Sequence, residues 1–288
     1  MSTADDDNTQ RTASTDLSGA SLESPSKDEA LFKESSPRDE CDICMLPLPI
    51  AAEEWKYQPC CGKVLCYGCI YAAHRADNRR LCPFCRTVEA VPGEECVERI
   101  KKRADGGDAI AISTLGSFYR DGEMGFPQDF YKAMELWLRA GELGYAASYG
   151  SIGNAYKFGE GVERDTKKAK HYWELAAKRG DVEARHNLGV NEGNAGNIDR
   201  AVKHFMISAI AGLDESLKEI QKCFMKGYAT KNDFENALRS HKESKDEMRS
   251  DQREAADAFY GHNEWIWHRE LSEAAERANY IIFSANME

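Results

Sequence analysis

Eight of the ten cysteines in this chain of 288 residues lie between Cys41 and Cys85. They form four clusters: Cys41-x-x-Cys44, the adjacent pair Cys60-Cys61, Cys66-x-x-Cys69 and Cys82-x-x-Cys85. A C-x-x-C turn lets two sulfurs reach one ion at about 2.3 Å, and eight thiolates complete two tetrahedral zinc sites. Cys66-Tyr67-Gly68-Cys69 alone also reads as a redox dithiol. Four spaced clusters point to metal instead.

The rest of the chain must hold these thiols and give them a purpose. A net charge of −11 and a pI near 5.3 argue against a nucleic-acid binder that works through cationic residues. Within the cysteine module, Lys56, Lys63, Arg75, Arg79, Arg80 and Arg86 keep a nucleic-acid finger open as a reading of that part alone. No apolar stretch approaches the roughly 20 residues that span a bilayer. The first residues are acidic and polar, without the basic and apolar regions of a signal peptide. The expectation is an intracellular protein, cytoplasmic or nuclear. Disulfides are disfavoured in such a compartment.

Residues 1–40 are rich in Ser, Thr and acids and poor in large apolar side chains, which predicts a disordered tail. The cysteine module covers 41–86. Residues 87–107, punctuated by Pro92, Gly93, Gly106 and Gly107, read as a linker running into a short helix. From 108 the sequence repeats itself. Leu115-Gly116, Ile152-Gly153 and Leu188-Gly189 occupy matching positions. Each is followed by an Ala with an aromatic four residues on: Ala133/Trp137, Ala169/Trp173 and Ala201/Phe205. Gly144, Gly180 and Gly212 close the units. Such periods mean stacked helical hairpins. The large aromatic is expected to fill the space between hairpins, and Asp129 and Asp165 to N-cap the second helices.

This pattern resembles the Sel-1-like repeat, a relative of the tetratricopeptide repeat. Residues 145–180 match nearly in full; 108–144 and 181–212 match in part. Residues 213–248 form a degenerate fourth unit, where Ala237 is followed by His241. The resemblance implies a right-handed α-solenoid that binds protein. Residues 249–288 read as a C-terminal helical cap, with Trp265, Trp267, Tyr280 and Phe283 available to pack on the last hairpin. The fold class is therefore mainly α: a small zinc-stabilised module, then the solenoid.

The cysteine string resembles a RING finger of the all-cysteine variety. The resemblance implies two zinc ions in a cross-brace. Cys41, Cys44, Cys66 and Cys69 would hold one, and Cys60, Cys61, Cys82 and Cys85 the other. His74 is an alternative to one of the adjacent pair. The resemblance further implies a ubiquitin ligase with no nucleophile of its own. Ile43, Pro83 and Arg86 would bind a ubiquitin-conjugating enzyme, and Arg86 also ubiquitin, while the solenoid recruits a protein substrate or adaptor. Where the family often has a Trp after Cys69, this chain has Ala73. Tyr71 could supply the missing contact. The competing reading is a non-catalytic zinc-binding scaffold for protein partners.

Overall fold

The computed structural model describes residues 31–32, 38–77, 79–90 and 93–260. The 1–40 tail other than 31–32 and 38–40, and the 261–288 part of the C-terminal cap with its four aromatics, lie outside these residues. Among those described, eleven helices and one two-stranded sheet are formed.

The cysteine module comes first. Strand β1 (Trp55–Gln58) pairs antiparallel with β2 (Lys63–Cys66), with Trp55 opposite Cys66 and Gln58 opposite Lys63. Helix α1 (Tyr67–Ala76) follows β2 directly. Leu65, Ile70 and the sulfurs of Cys41, Cys66 and Cys69 form the module's small core. So few apolar side chains cannot by themselves offset the entropy of ordering this segment.

The segment that reads as a linker contains α2 (Glu94–Asp105), three turns long. Val97, Ile100 and Ala104 lie on one face of it and are buried. Ile100 and Ala104 pack against α3 (Ala109–Asp121), the first helix of the solenoid. Helix α4 (Phe130–Glu142) completes the first hairpin. The second pairs α5 (Ala146–Phe158) with α6 (Thr166–Ala177). The third pairs α7 (Val182–Asn194) with α8 (Ile198–Ile210). Asp129 and Asp165 cap α4 and α6 as expected, accepting from the backbone N–H groups of Lys132 and of Lys167 and Lys168. Asp108 and Asp181 do the same for α3 and α7.

The aromatic of each second helix packs within its own hairpin, onto the glycine of the first. A Cβ at Gly116 would stand 2.7 Å from Trp137, one at Gly153 2.4 Å from Trp173, and one at Gly189 2.6 Å from Phe205. The ring thus rests on bare backbone, where the expectation placed it between hairpins. Trp137 donates to the Ser113 carbonyl at 3.3 Å and Trp173 to Asn154 Oδ1 at 3.0 Å, so each indole N–H is satisfied inside its hairpin. The rings still reach the next unit through a shared apolar cluster that includes Tyr149, Ile152 and Leu188.

The fourth hairpin lacks this device. Helix α9 (Asp214–Met225) has no glycine, and α10 (Lys231–Glu247) carries His241 where the aromatic belongs. His241 pairs with Asp214 at 2.8 Å, joined by Lys245 at 3.1 Å. Polar contacts take the place of the ring. The last described helix, α11 (Asp251–Tyr260), leaves the solenoid and packs along α1 of the cysteine module. The expectation that Trp265, Trp267, Tyr280 and Phe283 pack on the last hairpin falls on residues outside those described.

Two substitutions test the hairpin device. Gly153→Ala forces a methyl into the Trp173 ring and is expected to cost about 1–3 kcal/mol of stability. Trp173→Ala empties the same space and is expected to cost about 3–5 kcal/mol. Chemical denaturation followed by circular dichroism measures both; a loss near zero for either would place Trp173 outside the core.

Candidate metal centre

Two local motifs build the site. The segments around Cys41-x-x-Cys44 and Cys82-x-x-Cys85 fold alike. In the first, the Met45 N–H donates to the Cys41 carbonyl at 2.9 Å and the Cys41 N–H to the Leu46 carbonyl at 3.0 Å. In the second, the Arg86 N–H donates to the Cys82 carbonyl at 2.9 Å and the Cys82 N–H to the Thr87 carbonyl at 2.8 Å. The residue after the second cysteine is left-handed in both, with φ of 57° at Met45 and 62° at Arg86. Single bridges, Glu40 with Pro47 and Leu81 with Val88, close the two loops.

The β1–β2 hairpin ties the loops together. Its turn, tightened by Gly62 with φ of 75°, carries Cys60 and Cys61, while Cys66 ends β2 and Cys69 opens α1. One hairpin therefore supplies sulfurs to both loops. Cys41, Cys44, Cys66 and Cys69 converge in one group, and Cys60, Cys61, Cys82 and Cys85 in another, each with its sulfurs within 4.8 Å of one another. The order of pairing is first cluster with third and second with fourth.

The spacing fits a tetrahedral ion. A metal–sulfur distance of about 2.3 Å gives sulfur–sulfur edges of about 3.8 Å. Cys44 and Cys66 are 3.8 Å apart, as are Cys61 and Cys82. Cys60 lies 3.4 Å from Cys85 and 4.0 Å from Cys61. The adjacent cysteines thus both reach one group. His74 belongs to neither; its Nε2 faces the Glu89 carboxylate at 3.7 Å.

Electrostatics says what the groups lack. The Cys66 thiol, helped by backbone N–H groups of Cys44, Cys66 and Ile43, holds Cys41 down to about 4 against burial. Its neighbours are held neutral: Cys66 is pushed up by its bond to Cys41 and by burial, and Cys69 to about 12 by burial and the Cys41 charge. In the second group, burial of Cys85 is outweighed by its hydrogen bonding with Thr87, Cys60 and Cys82, bringing it to about 6. Burial lifts Cys61 to about 11 and, with bonds to Cys85 and Cys82, raises Cys60. Close-packed sulfurs ionise together only beside a cation, so binding one releases protons from the rest.

Both groups lean on distant parts of the chain. Arg103, on α2, donates to the carbonyls of Pro59 at 3.2 Å and Cys60 at 3.3 Å. Tyr57 donates to Asp108, the cap of α3, at 2.7 Å. At the other end, Arg253 on α11 is buried. It donates to the carbonyls of Pro47 at 2.8 Å and Met248 at 2.6 Å, and its Nη2 lies 3.6 Å from the Cys44 sulfur. A Cβ at Gly68 would stand 2.7 Å from Arg253 Cγ, so α1 is bare where α11 crosses it. The guanidinium places a buried positive charge beside the Cys41 group, where a bound cation would leave more than one thiol ionised. No local pattern in the sequence marks Arg253 for this position.

Ile43, between the first two thiols, is 41% exposed, and the Arg86 side chain is also exposed. Pro83 is half-buried beside exposed Phe84. Tyr71 is not free to replace the absent Trp: its ring packs on Phe259 at 5.2 Å and Tyr260 at 6.0 Å.

Residues 109–145 and 147–181 match the Sel1 repeat family. The cysteine module matches no RING family model. A stretch of 112 residues is 30% identical to the ERAD-associated E3 ubiquitin-protein ligase component HRD3B of Arabidopsis thaliana. It covers 38% of this chain and 17% of that protein, so the chain spans under a fifth of the relative's length. Among solved structures, a Sel1 repeat protein from Oxalobacter formigenes is similar with a TM-score of 0.49 and 24% identity, over 62% of this chain and 70% of that one. The protective antigen c5321 of uropathogenic Escherichia coli, an SLR fold, is similar with a TM-score of 0.45 and 24% identity, over 62% and 41%.

Arg253→Gln keeps a donor and removes the charge. It is expected to weaken zinc retention in the Cys41 group about ten- to hundredfold while sparing the Cys60 group. Competition with a chromophoric chelator resolves the two. Equal loss from both groups, or from neither, would reduce Arg253 to a packing contact.

Proposed function

We propose that the chain is a zinc-binding, RING-type ubiquitin-protein ligase whose Sel1-repeat solenoid recruits a protein substrate or adaptor. The observation that carries this reading is the cross-braced pairing of two four-thiol groups with Ile43 and Arg86 left exposed beside them. Each group would hold one zinc ion, which supplies folding energy to a module with little core of its own. The named relative is a component of a ubiquitin ligase, which supports a Sel1-repeat chain working in that chemistry.

In this reading the module performs no covalent step. Ubiquitin arrives as a thioester on a separate conjugating enzyme. A lysine amine of the substrate attacks the thioester carbonyl, the C–S bond breaks and an amide forms. Ile43 and Pro83 give the conjugating enzyme an apolar seat. Arg86 projects from its left-handed position with a planar fork of donors that can bond the enzyme and ubiquitin together. Holding the thioester in an attack-ready geometry lowers the barrier through orientation.

A second reading has its own observation. Ala73 stands where the family often has a Trp, and Tyr71 is covered by α11. A smaller docking surface favours a zinc-braced scaffold that binds protein partners without transferring ubiquitin.

Autoubiquitination with a panel of conjugating enzymes separates the two. Wild type is expected to be active, and Arg86→Ala and Cys82→Ser inactive, with zinc content unchanged in Arg86→Ala. No activity across the panel, with about two zinc ions bound per chain, would leave the scaffold.

A further inference from the structure

Leu31 and Phe32 sit in a segment whose composition predicts no fixed structure, yet both are packed on the solenoid. Leu31 is 2% exposed and joins the apolar cluster that runs from the first to the third hairpin. Its carbonyl accepts from Arg185 Nη1 at 2.8 Å. The other end of the same guanidinium donates to the Ala177 carbonyl, where α6 ends, also at 2.8 Å. Arg185 is 3% exposed. It is a fixed clamp with one hand on the solenoid and one on the peptide backbone of a segment 154 residues away.

Phe32 fills the adjoining position. Its ring centroid lies 4.6 Å from that of His204. Arg200 and Lys203 stand over its face at 5.2 Å and 5.6 Å. The His204 ring is fully buried, and among the described residues neither of its nitrogens has a hydrogen-bond partner. It therefore serves the aromatic as a flat wall. Beneath, Glu192 is held by Lys170 at 2.8 Å, Asn197 at 2.7 Å and Arg200 at 3.1 Å, which fixes the position of Arg200.

The contacts are of three kinds: a backbone carbonyl read by a buried arginine, an aliphatic side chain in an apolar seat, and an aromatic ring under two cations. Together they recognise a short linear segment. We propose that this face of the second and third hairpins is a binding site for partner segments carrying an adjacent aliphatic–aromatic pair. Leu31–Phe32 occupies it in cis, and a partner binds by displacing it. The proposal rests on the solenoid being the partner-binding half of the protein, as read above. It needs neither ubiquitin nor a conjugating enzyme, so it and the ligase reading fail separately.

A tethered occupant competes at an effective concentration in the millimolar range. A trans peptide must therefore bind the wild type weakly and an emptied site well. The test uses a fluorescein-labelled synthetic peptide of residues 26–38, read by fluorescence anisotropy on the full chain. Leu31→Ala/Phe32→Ala is expected to bind it at least about tenfold more tightly than wild type. In that background, Arg185→Gln is expected to weaken binding about tenfold. The exposed Lys203→Gln, which leaves the core untouched, is expected to weaken it about two- to fivefold. A peptide with both anchors replaced by alanine should not bind.

Failure of a folded double variant to bind, or equal binding by it and wild type, would overturn the proposal. Should the double variant not fold, Phe32→Ala alone decides, since Leu31 then stays in place: binding no tighter than wild type overturns it. A wild-type dimer that the double variant converts to monomer would mean that the segment is exchanged between copies, which overturns occupancy in cis.

Discussion

A glycine beneath an aromatic ring sets the geometry of the solenoid. In three successive hairpins the first helix offers bare backbone and the second lays Trp137, Trp173 or Phe205 on it. The helices approach closely because no Cβ intervenes, and a large ring fills the seam without a void. The hairpins then stack although the loop between paired helices shortens from 122–129 to 195–197, with Asp108 and Asp181 capping the first helices of the first and third. The cysteine module uses both ends of that array. Its Tyr57 reaches the cap of the first hairpin, and its α1 receives the helix that follows the last. Where the ring-on-glycine pair is missing, in the fourth hairpin, Phe224 stacks on Phe234 between the helices, and His241 and Lys245 meet Asp214.

The module inverts the usual balance of a small domain. It has little apolar core, so its order leans on its neighbours and on whatever cation its two thiol groups could hold. The sulfur spacing fits two tetrahedral ions, and the charge pattern of the thiols asks for cations. Two arginines complete the frame: Arg103 from α2 grips the turn of the second group, and Arg253 from α11 lies against the first. The module is clamped along one edge while Ile43 and Arg86 stay exposed.

Periodic and local features were legible in the sequence. Spacing alone gave the hairpins, the N-caps Asp129 and Asp165, and the thiols as clusters that could hold metal; the way they divide into two groups came with the family resemblance. What escaped was tertiary. Arg253 lies in a polar helix, and nothing near it indicates a sulfur 209 residues away in the chain. A short helix was expected to end the linker, and α2 is that helix; its seat on the first hairpin was not foreseen, because only Val97, Ile100 and Ala104 mark its buried face. Leu31 and Phe32 vanished into the average composition of an acidic tail. Tyr71 could be assigned an outward role only because the helix that covers it comes from the far end of the chain. The aromatic rings were identified correctly as large core residues but given the wrong seam, since the glycine one helix away is their seat.

The Arg253 contact also sets an order of events during synthesis. The cysteine module leaves the ribosome first, yet 209 residues separate Cys44 from the arginine that neutralises its sulfur cluster. At about 5–20 residues per second, that is a wait of roughly 10–40 s. Through that interval the Cys41 group, with any cation it takes up, lacks the guanidinium beside it, and Gly68 on α1 is uncovered. A nascent chain truncated by stalling would carry all eight thiols and every hairpin of the family match, and still present a metal site of a different affinity from that of the finished protein.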